Sequence, residues 1–461
     1  MTSSGGADFA GLVDRIVEGV REVAPVGWRR LEASFAVTVV TESALLVADE
    51  GTRSVRCPVP DVVWALVRRH RELSAGSDGG PWWRLGVRID AKGAEIVADY
   101  GAEPFPGEQL FAPEAYLADL ACFPRDRLPV WLAAYIGRGE RLSRSPRAAA
   151  NSIRAEQRAG VAAVAVDGEL LGLGVLWARW AVLAAAFVAV GSGRGPRIGP
   201  SVAVFESSGH SGSTLTLLPG GRAVLSGGVW DAPVLDAAYN GGAAMPELFA
   251  GAPVWVADPV LNPRVATGLL SFCYWWEAGR WYRGGSGPVS ECAPGLPAVW
   301  TVATVAGVVD SLLEGRRGTR EGVELLVSAA QAGAVTREAC VQAFGADVDI
   351  DAALFQFMLA DLVAEHAAGV NGGDALDLVR EHIRRHGYDT TGYSLSGLRA
   401  DRVSVGWLVR SPVPEGELVL DRAVFYVADD GVVERSTTSV PLSVFITDFE
   451  RRLRLRGNNR A

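Results

Sequence analysis

The chain has 461 residues, 49% of them hydrophobic and 21% charged, with a formal net charge of −9 at neutral pH. That length exceeds what one hydrophobic core supports, so roughly two to four domains are expected, with disorder confined to the frayed ends MTSSGGADF and RGNNRA. The acidic balance argues against the basic footprint that nucleic-acid binding needs, and five widely spaced cysteines without a CxxC pair argue against a disulfide framework or a zinc site.

In chain order, Phe9, Leu12, Val13, Ile16, Val17, Val20 and Val23 recur at helical spacing and define one apolar face. Trp28–Val40 and Ser43–Ala48 are rich in Val, Phe and Thr and read as strands. Pro60 opens a helix through Val62, Val63, Leu66 and Val67, with Arg68, Arg69 and Arg71 expected outward. Trp82–Asp90 and Ala94–Tyr100 predict a hairpin around Ala91-Lys92-Gly93, where glycine accepts positive φ. Pro113 followed by Glu114 starts another helix, which Pro124 ends, and Leu128–Ile136 forms a further one. The expected order is α-β-β-α-β-β-α-α, an α+β domain over 1–140.

Arg138–Pro146 is polar and reads as a linker into a second α+β domain over 141–300. Leu170–Gly191 is apolar and long enough to span a bilayer as one helix. Arg179 at its centre would be costly in lipid, and Gly172 and Gly174 interrupt it, so a buried core element is expected. Ser201–Phe205, Ser213–Leu218 and Ala223–Leu225 read as strands between glycine turns, and Leu269–Trp276 with Arg280–Tyr282 as a hairpin across Glu277-Ala278-Gly279. Residues 301–370 predict helices. Val305, Val308, Val309, Leu312 and Leu313 share one face, and Thr336 is a natural N-cap. Gly369–Gly373 breaks this pattern before a compact section over 371–461. There, a helix over Ala375–Arg385, strands at Val403–Arg410, Ala423–Val427 and Val432–Arg435, an Asp429-Asp430-Gly431 turn and a helix from Pro441 give α-β-β-β-α. The whole predicts a multidomain α+β protein with antiparallel sheets and flanking helices.

No stretch assembles a catalytic site. Gly191-Ser192-Gly193-Arg194-Gly195 superficially resembles a phosphate loop, but Pro196 and Gly199-Pro200 follow where a helix N-terminus is required. Ser207-Ser208-Gly209-His210-Ser211-Gly212 sets hydroxyls beside a histidine without a G-x-S-x-G elbow. His382 and His386 have i,i+4 ligand spacing, yet HIRRH lacks the glutamate base of HExxH. Neither metal nor cofactor is expected. The features left for a protein partner are the acidic loop with Asp99, Glu103 and Glu108, and the tryptophans Trp82, Trp83, Trp275, Trp276 and Trp281 on predicted hairpins. Adjacent strand residues face opposite ways, so one of each pair belongs to the core; the other is either packed in a core on the second face, the favoured reading, or exposed as a candidate binding anchor.

The segments WRRLEASFAVTVV and PWWRLGVRIDAKGAEIVADYG, followed by the acidic EPFPGEQLFAPEAYLADLACFPRDRLPVWLAAYI, resemble the immunity proteins of bacterial polymorphic toxin systems, the YezG-like group in particular, over residues 8–138. Residues 375–455, with Gly406-Trp407 on a strand, the Asp429-Asp430-Gly431 turn and the Pro441–Leu453 helix, resemble the small YrhB-like immunity domains. The resemblance implies a cytoplasmic antitoxin that binds and blocks a toxin and has no catalytic residues to transfer. Asp8, Asp14 and Arg15 interrupt any N-terminal apolar run, which agrees with the cytoplasmic expectation. The alternatives are a hydrolase-like enzyme centred on Glu206, Ser207 and His210, and a scaffold or chaperone of a secretion system.

Overall fold

A computed structural model describes residues 4–75, 80–137, 151–155, 158–313, 318–363, 370, 372–388, 395–403, 406–411, 423–429, 431–437, 439–440, 445–446, 448–449 and 451–452. The expected linker at Arg138–Pro146 lies outside the described residues. The chain divides into two compact units, one of residues 1–173 with 204–297 and one of 174–203 with 298–461. The architecture is α+β with three antiparallel sheets, as composition and periodicity predict.

In the first unit, helix α1 (Ser4–Glu22) is followed by strands β1 (Arg30–Val37), β2 (Glu42–Asp49) and β3 (Ser54–Cys57). Helix α2 (Asp61–Ser74), strands β4 (Arg84–Asp90) and β5 (Gly93–Asp99), and helices α3 (Pro113–Cys122) and α4 (Val130–Ile136) complete this half. The sheet order is β3-β2-β1-β4-β5. Leu12, Ile16 and Val20 of α1 and Val63, Leu66 and Val67 of α2 pack on Leu31, Phe35, Leu85, Val87 and Ile89 of the sheet. The period of 3.6 on the helices thus meets the period of 2 on the strands in one core.

Three details depart from the sequence reading. β3 is an additional strand; four residues with alternate exposed side chains leave too short a signal for alternation to register. Val62 is exposed, because the buried stripe of α2 runs through Val63, Leu66, Val67 and His70. Arg71, expected outward, is buried, since that same stripe continues one turn further and its charge has a partner inside.

That partner is Asp119 of α3. Its carboxylate accepts both contacts of the Arg71 guanidinium at 2.7 Å, the Trp83 indole N–H at 2.8 Å and the Val39 backbone N–H at 3.0 Å. Arg71 also donates to the Trp82 carbonyl at 3.0 Å. Alongside, the Trp82 indole donates to His70 Nδ1 at 2.9 Å, and burial holds His70 below its ordinary pKa, so the ring is a neutral acceptor.

The second half of this unit holds β6 (Val164–Ala165). The next elements in the chain, α5 (Leu173–Ala189) and β7 (Arg197–Gly199), fall in the second unit, apart from Leu173. There follow β8 (Val202–Glu206), β9 (Gly212–Leu218), β10 (Arg222–Gly228), α6 (Pro233–Tyr239), β11 (Phe272–Glu277), β12 (Arg280–Arg283) and α7 (Val289–Cys292). The order β6-β12-β11-β10-β9-β8 puts β10 near the centre, and all but its first residue are buried. The β11–β12 hairpin turns on Ala278 and Gly279, both at positive φ, as its sequence predicts.

In the second unit, α5 is the apolar stretch weighed against a membrane span. Trp177, Trp180 and Leu183 are buried, and the Arg179 guanidinium donates to the Val299 and Trp300 carbonyls at 3.0 and 2.7 Å. Among the described residues no helix is long and apolar enough to cross a membrane. Helices α8 (Val302–Leu312), α9 (Arg320–Gln331), α10 (Arg337–Phe344) and α11 (Ile350–Leu359) open on Thr301, Thr319, Thr336 and Asp349. Each of these side chains accepts the backbone N–H three residues on, a contact that contributes about 1 kcal/mol per helix.

Helix α12 (Gly372–His386) begins three residues before the predicted start and takes in Gly372 and Gly373 of the expected breaker. Strands β13 (Arg399–Val403), β14 (Gly406–Arg410), β15 (Ala423–Ala428) and β16 (Val433–Thr437) form an antiparallel sheet in chain order. The expected α-β-β-β-α pattern is therefore corrected to four strands. β13 is an edge strand, and an edge tolerates the polar Arg399 and Asp401 that mask it in sequence. Of the helix predicted from Pro441, residues 445–446, 448–449 and 451–452 are described, and they are helical.

The Arg71–Asp119 pair leads to a stability prediction. Removing one partner leaves a charge buried without its counterion, so Asp119→Ala and Arg71→Ala should each cost about 3–5 kcal/mol. The double variant should cost well under the sum, because the two losses share one cause. Urea unfolding of the four proteins measures the coupling; additive losses would show the pair to be inert.

Candidate functional site

The acidic loop between β5 and α3 is built before it is exposed. The Asp99 carboxylate accepts the Gly101 and Ala102 N–H groups at 2.8 and 2.9 Å, which folds the start of the loop as a side-chain-capped turn. Gly101 has φ +95°, and a Cβ there would lie 3.2 Å from the Trp83 ring, so both conformation and space require glycine. The Trp131 indole donates to the Gly101 carbonyl at 2.7 Å. At the far end, buried Gln109 donates to the Ser34 carbonyl and accepts from its hydroxyl, both at 2.7 Å. Between these anchors Glu103 and Glu108 are exposed, with side-chain exposures of 63% and 65%.

Glu103 meets His210. The carboxylate lies 2.6 Å from His210 Nε2 at the tip of the β8–β9 hairpin, and the imidazole is centred 4.9 Å from the Trp230 ring. His210 adopts φ +60°, a left-handed conformation that histidine tolerates better than most side chains. Glu206 does not reach His210; it pairs with Arg264 at 2.5 Å, and Arg264 also donates to the His210 carbonyl at 3.4 Å. The Ser211 hydroxyl accepts the Trp230 N–H at 2.9 Å. The Glu206–Ser207–His210 arrangement weighed from sequence is therefore not assembled as an orienting acid, base and nucleophile.

Beside this contact lies a cleft of about 720 Å³. It is lined by Tyr100 and Ala102 of the acidic loop, by Arg125, Asp126, Arg127, Leu128, Pro129 and Val130 between α3 and the start of α4, and by Asp231, Pro233 and Asp236 at the start of α6. The cleft is braced. Arg127 chelates Asp236, with one contact at 3.0 Å. The Asn240 side chain clamps Leu128 by donating to its carbonyl at 2.9 Å and accepting its N–H at 3.0 Å. Arg125 lies 3.4 Å above the centre of the Trp83 ring and donates to the Pro81 carbonyl. Burial lowers its pKa to about 10, which leaves it protonated at neutral pH.

The tryptophans sort differently from an alternating pair. Trp82 and Trp83 are both buried, because Trp82 faces the core under α1 and α2 while Trp83 faces a second cluster with Phe105, Tyr116 and Trp131. Trp275 and Trp281 are also buried, and Trp276 alone of the five is half-buried, edge-on to Trp281 at 5.4 Å. The structure brings Asp99 and Glu103 together on one loop rim, puts Glu108 beside Arg56 at 3.5 Å, and leaves the Trp275–Trp281 hairpin as a separate feature. The cleft itself escaped the sequence reading. Its residues come from three segments, 100–102, 125–130 and 231–236, the last about 100 positions from the second, and none carries a local motif.

His382 and His386 do meet, with ring centroids 4.2 Å apart, and His386 stacks on Tyr388, over which Arg435 lies at 4.4 Å. His386 Nδ1 lies 2.9 Å from the His382 carbonyl. Among the described residues no group of three or more His, Cys, Asp or Glu side chains could hold a metal ion. No model of a known protein family matches the chain, and no curated protein matches it at a meaningful level.

Burial holds His382 below the ordinary imidazole value of 6.5, with His386 and Arg385 adding repulsion. The unfolded chain then binds the proton more readily than the folded one, so the stability of the 372–437 segment should be full above pH 6.5 and fall as pH drops below it. Hydrogen exchange of α12 at pH 7.5 and 5.5, corrected for intrinsic rates, should show this loss in the wild type and a smaller one in His382→Gln. Equal losses in both proteins would assign the effect elsewhere.

Proposed function

We propose that the protein acts by binding another protein, as an immunity protein that neutralises a toxin in the cytoplasm. The observation that carries this reading is the acidic loop, which is fixed by Asp99, Trp131 and Gln109 and displays Glu103 and Glu108 outward. A loop held in shape before it meets a partner loses little conformational entropy on binding. The resemblance of residues 8–138 and 375–455 to immunity families supports the same reading. The partner is expected to be basic on the face it presents, so that charge complementarity speeds encounter. Trp276, the one candidate tryptophan with an accessible surface, is a second point of contact.

Co-expression with the products of neighbouring genes in a sensitive host tests the proposal. One of them should arrest growth alone and be neutralised by this protein, and the two should co-purify. Against that partner, Glu103→Lys with Glu108→Lys should slow association more than it speeds release, and the defect should shrink in high salt. Trp276→Ala should instead speed release, at a cost of about 2 kcal/mol if it is a true anchor. If no neighbour is toxic, or none is rescued, the immunity reading falls.

A further inference from the structure

The cleft beside the acidic loop holds five charged side chains, two arginines and three aspartates, and their commitments differ. Arg127 and Asp236 neutralise each other. Arg125 lies on the Trp83 face and donates to the Pro81 carbonyl, while its buried Nε has no hydrogen-bond partner among the described residues. Asp126 and Asp231 are exposed and make no ion pair among the described residues. Arg125 keeps its charge, since its contacts include no carboxylate, and against it Asp126 and Asp231 leave the lining with one net negative charge. The rest of the lining is suited to hydrocarbon: Leu128, Pro129, Val130 and Pro233 in the cleft and the Tyr100 ring at its rim.

Unpaired carboxylates among apolar side chains fit a ligand side chain with a long aliphatic stem and a cationic head. The volume of about 720 Å³ exceeds what one side chain fills, so the occupant is a short stretch of chain and not a single residue. The Arg127–Asp236 and Asn240–Leu128 contacts and the Asp99-capped turn hold the three lining segments, so the cleft exists before binding. An acidic ligand would meet a lining of net negative charge and is disfavoured on the same grounds.

We infer that this cleft receives an arginine-bearing segment of a protein partner, its guanidinium held by Asp126 and Asp231 and its methylenes by Leu128, Pro129 and Tyr100. Arginine is favoured over lysine, because its planar fork can engage carboxylates bidentately and stack on the Tyr100 ring. The inference rests on the proposed protein-binding function and names the chemistry of what is bound.

The test uses the full chain and a blocked Gly-Arg-Gly tripeptide, observed by saturation-transfer NMR. Saturable transfer to the arginine methylenes is expected. The citrulline analogue, alike in shape but uncharged, should bind about fivefold or more weakly, as should the arginine peptide to an Asp126→Asn/Asp231→Asn variant. Both aspartates are exposed, so a thermal melt matching the wild type should accompany that loss. Glu95→Gln, an exposed change on edge strand β5, should leave binding unchanged. Equal binding of the citrulline peptide, unchanged binding by the double variant, or an equal loss in Glu95→Gln would overturn the inference. If a toxin is rescued and bound equally well by Asp126→Lys/Asp231→Lys, the cleft assignment fails and the immunity reading stands. If no toxin is found but arginine binding depends on the two aspartates, the reverse holds.

Discussion

One buried carboxylate organises the first unit. Asp119 is almost inaccessible, and it accepts four contacts from three places in the chain: Arg71 twice, the Trp83 indole and the Val39 backbone. An ionised carboxylate in such a position costs several kcal/mol of desolvation, which only a paired cation and a full set of donors offset. The compensation constrains geometry. α3 must lie where its aspartate meets α2, the start of β4 and the β1–β2 connection at once. A purely apolar contact could slide; this one has a single arrangement that satisfies all partners.

The consequence reaches the surface through Trp83. Its indole N–H is held by Asp119, which fixes the ring plane. One part of that ring lies beneath the Arg125 guanidinium and another against Gly101, where the acidic loop begins. Tyr116, Phe105 and Trp131 extend the same aromatic cluster, and Trp131 returns to bond the Gly101 carbonyl. A buried ion pair thus sets the position of one cleft wall and of the exposed Glu103 through direct contacts. Loss of Asp119 would therefore disturb the shape of the acidic loop as well as stability, and for one physical reason.

A partner proposed to bind the acidic loop would meet a local competitor. Glu103 is engaged by His210 across the loop, and Glu108 lies near Arg56. Exposed pairs of this kind contribute at most about 1 kcal/mol, so a partner can displace them at little cost while the unbound loop keeps its shape. Asp126 and Asp231 have no such internal partner among the described residues, which separates the cleft from the rest of the acidic surface.

Much of the architecture is legible in the sequence, because it follows from local periodicity. The α1 stripe at Leu12, Ile16 and Val20, the β4–β5 and β11–β12 hairpins with their glycine turns, the Thr336 cap and the burial of α5 around Arg179 all depend on near neighbours in the chain. The elements that escape are those whose local signal is weak: the short strands β3, β6 and β7, the polar edge strand β13 and the short helices α6 and α7. What only the tertiary structure decides is the fate of individual polar and aromatic side chains. Arg71 looks like its neighbours Arg68 and Arg69, yet it is buried because Asp119, 48 positions away, neutralises it. Trp82 and Trp83 are both internal because the two faces of that segment meet two different cores. His210 finds its carboxylate at Glu103, 107 positions away, and not at neighbouring Glu206, which Arg264 holds. Periodicity specifies which face of an element is apolar; the partner of a buried charge is a long-range pairing that no local pattern encodes.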